Sequence, residues 1–228
     1  MSIKKETPIL QLLIEVFLVM RKNGFGGANT NKSGLKFEFD TDFSKAIVDN
    51  PSLNYILKEH TFRPDFEKPI KSTTDSVFDV VEKGTNEIVG IITKQYQFYN
   101  VLMEQYNLGN IHSKKWKPDE VFFNLKRKTV FIVEKKWQET TGSVDEKLFG
   151  FNAKRILYQE IFNQRDEEPN IPIEFATLLN SDFWLYGNYI VKGHQKHRDI
   201  SYHDYFNSLR NNGVRIMFDK YDFWWFGL

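Results

Sequence analysis

The sequence predicts an α/β domain built on a central mixed β-sheet flanked by helices. Two runs rich in β-branched and aromatic residues, Val121–Leu125 and Thr129–Val133, flank the basic run Lys126-Arg127-Lys128, the pattern of a β-hairpin. A helix follows, opened by the capping pair Ser143 and Glu146, and then a buried apolar strand over Ile173–Leu179. Strand, helix, strand in that order favours a parallel pair joined by a right-handed crossover, so the sheet mixes both kinds of pairing.

The 228 residues fit a single domain, with a core over about 95–220 and a helix-and-loop elaboration over 1–94. Hydrophobic residues at 41% and charged residues at 27% are enough for a buried core and exclude a disordered chain. The net charge of +1 gives no global basic signal, although a local basic cleft can coexist with a balanced total. Without cysteine there is no disulfide, no thiolate catalysis and no cysteine-ligated zinc, which fits a reducing cytosol.

Pro8–Met20 is apolar but too short to span a bilayer, and Gln11 and Glu15 interrupt it. Arg21 and Lys22 follow directly with no small-residue cleavage site, so it reads as a core or dimer helix with Pro8 in its first turn. A soluble, cytoplasmic protein without membrane attachment is expected. Gly24–Gly34 is a polar loop by composition. Its Asn31-Lys32-Ser33 lacks the glycine a phosphate-binding loop needs before the lysine, and no nucleotide cofactor is expected. Leu35–Thr93 alternates short β-like runs with turns. Tyr96–Tyr106 reads as a helix with Tyr96, Tyr99, Met103 and Tyr106 on a core-facing stripe.

The chemistry-bearing stretch begins at Pro118. With a two-residue turn at Lys126-Arg127, Asp119 falls opposite Glu134, their Cβ atoms ~5 Å apart, a span that suits two carboxylates sharing a cation. Side chains two apart share a face, so Lys136 joins Glu134, Gln138 continues the row, and Lys135 and Trp137 point away. Charges crowded at the end of a buried strand are costly unless a cation offsets them. Phosphodiester hydrolysis uses such a set: carboxylates for Mg²⁺, and a lysine to orient or deprotonate the attacking water and stabilise the transition state. The bland alternative is a surface hairpin with weak cross-strand ion pairs. Asp145 and Glu146 suit the positive end of the following helix. Lys147 and Lys154, seven apart on one face, suit phosphates or plain solvent.

Further on, His194, His197 and His203 lack the spacing of a zinc module. With Lys192, Lys196 and Arg198 they make a basic loop, either exposed and inert or facing phosphates and base edges. Ser201 and Asp204 open another helix that ends near Gly213, and Val214–Phe218 is a further strand. The aromatic ending Tyr221–Leu228 is a core plug or dimer patch, with base stacking as the alternative.

The run PDEVFFN…TVFIVEKKWQETTGSVDEKL resembles the active-site region of type II restriction endonucleases of the PD-(D/E)XK superfamily. A looser likeness extends into SYHDYFNSLRNNGVRIMF, and the GSVDEKL element after EKKWQ adds specificity beyond the nuclease motif. The resemblance implies the restriction-endonuclease-like fold and Mg²⁺-dependent cleavage of double-stranded DNA to leave 5′-phosphate ends. It also implies a homodimer reading a palindrome. It makes Asp119, Glu134 and the backbone carbonyl of Lys135 metal ligands, and Lys136 the catalytic lysine. Family members often add an acid from an upstream helix, for which Glu104 and Glu15 are candidates. Candidate DNA contacts are Asn29, Asn31, Lys32, Gln138, Lys147, Lys154, His194, Lys196 and His197. The rival readings are a non-catalytic DNA-binding or interaction module, and a nuclease for repair or RNA processing.

Overall fold

A seven-stranded sheet takes up most of the apolar runs of the chain. The computed structural model describes residues 30–71, 75–140, 144–165, 170–199 and 201–228. Residues 34–228 form one compact unit, and of the other unit, residues 1–33, only 30–33 are described. The chain runs α1 (Thr30–Asp40), α2 (Phe43–Val48), β1 (Tyr55–Glu59), β2 (Phe78–Glu82), β3 (Ile88–Thr93), α3 (Gln97–Tyr106), β4 (Glu120–Asn124) and β5 (Thr129–Lys136). It continues through α4 (Val144–Phe162), β6 (Ile173–Leu179), α5 (Ser181–Trp184), β7 (Asn188–Val191), β8 (His194–His197), α6 (His203–Asn211), β9 (Val214–Phe218) and α7 (Phe223–Phe226).

The sheet order is β1-β2-β3-β4-β5-β6-β9, antiparallel as far as β5 and parallel from β5 through β6 to β9. This is the expected α/β architecture with a mixed central sheet. Parallel neighbours cannot be joined by a tight turn, and α4 and α6 lie in the two long connections. The stretch ahead of residue 95, expected as an elaboration, supplies three of the seven strands.

Alternation along β5 divides the core in two. Val130 and Ile132 face a layer that includes Phe98 and Leu102 of α3 and Phe151 and Tyr158 of α4. Phe131 and Val133 face the opposite layer, with Phe37, Phe43, Tyr221 and Phe226. Each fully buried side chain of this size contributes ~1.5–3 kcal/mol, so β5 and its neighbours are clamped from both sides. Gly90 of β3 permits a close approach, since a Cβ there would lie 2.3 Å from the Phe122 ring and 2.5 Å from the Phe123 carbonyl oxygen.

Several expectations need correction. The Lys126-Arg127 turn is a four-residue turn, Leu125–Lys128, with Lys128 at φ 50° and the Asn124 side chain accepting from Arg127 N–H at 2.8 Å. Without Asn-Gly at its centre the tighter turn is disfavoured. The wider turn removes one residue from each strand equally, so the register survives: Asn124 pairs with Thr129 and Glu120 with Val133.

Residues 30–34, expected in a loop, belong to α1. Gly34 weakens that helix, but Phe37 packs on Trp137 with ring centroids 5.4 Å apart, and tertiary packing overrides propensity. The β-like reading of Leu35–Thr93 fails up to Val48. There α2 is capped by Asp42, whose side chain accepts from Lys45 N–H at 3.0 Å.

On α3 the expected stripe does face the core, with Tyr99 deeply buried and Tyr96 and Tyr106 packed against the core cluster, but Phe98, Val101 and Leu102 lie deeper, and Met103 is only half-buried. The His194–His197 segment, read as loop, is a strand pairing with β7. The helix after it starts one residue later than Ser201 implied, with Tyr202 at its N-cap position and Ser201 Oγ accepting from His203 N–H at 3.3 Å. Tyr221 and Phe226 are buried against Phe43, which makes the aromatic ending a core plug. The Pro8–Met20 helix and the capping residue Ser143 lie outside the described residues. No described helix is long and apolar enough to cross a membrane.

Candidate active site

The C-terminal end of β5 brings the charged residues together. One step beyond the Glu120–Val133 pair, Asp119 comes opposite Glu134, as the register requires. Asp119 Oδ2 accepts from the Lys135 backbone N–H at 2.8 Å, which locks the carboxylate against the strand. Lys136 Nζ lies 2.7 Å from the Lys135 carbonyl oxygen, 3.4 Å from Asp119 Oδ2 and 3.5 Å from Glu134 Oε2. Three oxygens, two from carboxylates and one from a peptide, thus converge on a single ammonium. From across the α4 crossover, Lys154 Nζ reaches Glu134 Oε2 at 2.8 Å.

Electrostatics follow from burial. Glu134 is 2% exposed, and desolvation first, then the neighbouring charge of Asp119, pushes its carboxyl above the usual range against the pull of Lys136 and Lys154. Burial works against the Lys136 charge, but Asp119 and Glu134 outweigh it and hold the ammonium above its ordinary value. Glu134 Oε1 is buried with no hydrogen-bond partner, and so are the hydroxyls of Thr177, its neighbour across β6, and Tyr158 on α4. Burial first, and then the Glu134 charge, pushes the Tyr158 hydroxyl far up, so it stays a neutral donor.

These residues fit a divalent cation. A buried carboxylate oxygen left without a partner is costly, and hard cations take carboxylate and carbonyl oxygens. Among the described residues no three His, Cys, Asp or Glu side chains gather, and the oxygens that could hold a cation here are those of Asp119, Glu134 and the Lys135 carbonyl.

Lys135 and Trp137 turn to the other face, as alternation predicts. Lys135 Nζ pairs with Glu120 Oε1 at 2.6 Å and donates to the carbonyls of Glu38 and Thr41 at 3.2 and 3.0 Å. That buried pair escaped the sequence reading, since Glu120 gives no local sign of facing Lys135.

The other candidates lie elsewhere. Glu104 Oε2 is 2.8 Å from His60 Nε2, its Oε1 accepts from Arg63 N–H at 2.8 Å, and His60 Nδ1 is 2.6 Å from Asp79. Gln138 donates to the Thr140 carbonyl, and its backbone is bracketed by Asn180. Lys147 is exposed on α4, and His194, Lys196 and His197 are exposed on β8. Asn31 and Lys32 fall in the first turn of α1, with their side chains outside the description, as are Asn29 and Glu15 altogether. Among the described candidates for DNA contact, Lys154 is the one basic residue that pairs with a carboxylate of this site, Glu134.

Comparison with known proteins gave no match among curated proteins and none among solved structures. Residues 67–161 match the family model described as PD-(D/E)XK nuclease superfamily domain. PD-(D/E)XK nucleases generally use divalent metals. The matched stretch, over which the chain is similar to that family, contains Asp119, Glu134, Lys136 and Lys154, and the mixed α/β sheet is in keeping with it.

Proposed function

We propose that this protein is a Mg²⁺-dependent, site-specific endonuclease of the type II restriction kind that cuts double-stranded DNA as a homodimer in the cytoplasm. One observation carries the reading. Two carboxylates, a peptide carbonyl and an ammonium meet at the end of β5, where a buried oxygen of Glu134 has no partner.

Asp119, Glu134 and the Lys135 carbonyl would hold the cation, which supplies Lewis acidity toward a phosphate oxygen and toward water. The chain's own groups do the rest. The Lys135 N–H fixes the orientation of Asp119, and Lys154 balances the charge of Glu134. Lys136 donates hydrogen bonds to a phosphate oxygen, where its ammonium stabilises the negative charge that builds on the phosphoryl oxygens. Hydrolysis adds hydroxyl to phosphorus and a proton to the departing 3′ oxygen, leaving a 5′-phosphate and a 3′-hydroxyl.

Lys147 and the exposed ribbon of β7 and β8, with His194, Lys196 and His197, are candidates for DNA contact, and a two-stranded ribbon fits a major groove. Asn29, Asn31, Lys32 and Gln138 remain candidates on composition, and Glu15 and Glu104 as the further acid.

The test is incubation of plasmid and phage DNA with the purified protein, with Mg²⁺ and with EDTA. Discrete fragments that need Mg²⁺ are expected. A smear would mean a non-specific nuclease, and DNA left intact across substrates of diverse sequence would mean a non-catalytic binding module.

A further inference from the structure

Residues 110–118 belong to the connection from α3 to β4 and end directly on Asp119. Their sequence, NIHSKKWKP, carries Lys114, Lys115 and Lys117, all exposed, in a chain whose net charge is only +1. The segment is anchored along its length. His112 Nε2 lies 2.7 Å from the Leu157 carbonyl of α4. The Tyr99 hydroxyl of α3 donates to the Trp116 carbonyl at 2.9 Å, and Gln95 N–H donates to the Pro118 carbonyl at 2.8 Å.

The lysines lie on aromatic faces. Lys114 Nζ is 4.5 Å from the Trp116 ring centroid, Lys117 Nζ 4.2 Å from that of Tyr96, and Lys115 Nζ 5.8 Å from that of Tyr99. Lys154, which holds Glu134, is 5.7 Å from the same Trp116 ring. Trp116 therefore links Lys114 of the strap to the carboxylate site through Lys154.

Gathering like charges on one strap does not help the chain fold. Ring contacts narrow the rotamers of long flexible side chains, so less entropy is lost when an anion arrives. Ammonium groups act as point charges that suit phosphates without reading sequence. We infer that Lys114, Lys115 and Lys117 form the phosphate track that lays the backbone of duplex DNA beside Asp119 and Glu134. This rests on the nuclease reading above.

The experiment is the salt dependence of binding, measured by fluorescence anisotropy on a labelled DNA duplex without divalent metal. Wild type is compared with K114Q/K115Q/K117Q and with K58Q/K71Q/K220Q, which removes the same charge from exposed lysines elsewhere. Circular dichroism checks that each variant is folded.

Each lost phosphate contact should flatten the plot of log affinity against log salt by ~0.9, so the strap variant should flatten by about 2 to 3. The control variant should keep the wild-type slope. Equal slopes in all three proteins, equal loss in both variants, or no duplex binding by wild type would each overturn the inference. Mg²⁺-dependent cleavage by wild type is scored separately. Cleavage with an unchanged strap slope sinks the track and leaves the nuclease standing, and a strap-dependent slope without cleavage does the reverse.

Discussion

Lys135 and Lys136 are neighbours in the chain and serve opposite faces of the sheet. The first pairs with Glu120 at 2.6 Å in the buried layer behind the site, and the second faces Asp119 at 3.4 Å in front of it. One peptide unit thus joins a structural ion pair to the one proposed to be catalytic, and the carbonyl between the two side chains is itself a candidate metal ligand.

The two lysines should therefore fail differently. Lys136→Ala removes the ammonium that would stabilise phosphate charge and should lower cleavage by about 100- to 1000-fold. Lys135→Met leaves Glu120 buried without its partner and should cost ~3–5 kcal/mol of stability. Urea denaturation beside single-turnover cleavage separates the effects. Equal loss of activity per folded molecule in both variants would defeat the assignment of roles.

A cation that binds the folded chain alone stabilises it. Ca²⁺ or Mg²⁺ at about ten times its Kd should add ~1.4 kcal/mol, which raises Tm by about 3–6 °C in a chain of this size. Glu134→Gln and Asp119→Asn should abolish that rise. A melting temperature indifferent to divalent cations in wild type would argue against the metal site.

Asp42 offers a pH signature away from the site. Burial opposes its charge, but Lys94 at 2.7 Å and the N-cap bonds outweigh it and lower its carboxyl to about 2. A folded value below the unfolded one gives stability that is present above about pH 4 and lost as pH falls through about 2. The contribution is about 2 kcal/mol. Asp42→Asn should be less stable than wild type by about that amount at pH 6, the gap closing toward pH 2. A gap that stays constant with pH would show that the carboxylate is not the cause.

Gly90→Ala puts a methyl 2.3 Å from the Phe122 ring and 2.5 Å from a β4 carbonyl oxygen. Neither neighbour is the free end of a flexible chain, and overpacking of this kind costs ~1–3 kcal/mol. β4 leads from Asp119, so cleavage should fall along with Tm. An unchanged Tm would mean that β3 and β4 separate easily.

Much of the second half was legible in the sequence because its signals are local. Strand alternation and the symmetry of the hairpin placed Asp119 opposite Glu134 even though the turn proved wider than expected. Apolar runs marked Ile173–Leu179 and Val214–Phe218 to the residue. The first half was harder to read. Phe37 and Phe43 lie in helices that are stabilised by contact with Trp137 and Tyr221, about 100 and 178 residues away in sequence.

The sequence by itself determined the sheet core, the carboxylate pair and the face on which Lys136 stands, since period and pairing are properties of adjacent residues. Only the tertiary structure decided that Lys154 meets Glu134, that Lys135 meets Glu120, that Glu104 turns to His60, and that Trp116 sits beside the site. Those contacts depend on how α3 and α4 rotate and settle on the sheet, which is set by the packing of side chains distant in sequence and leaves no periodic trace along the chain.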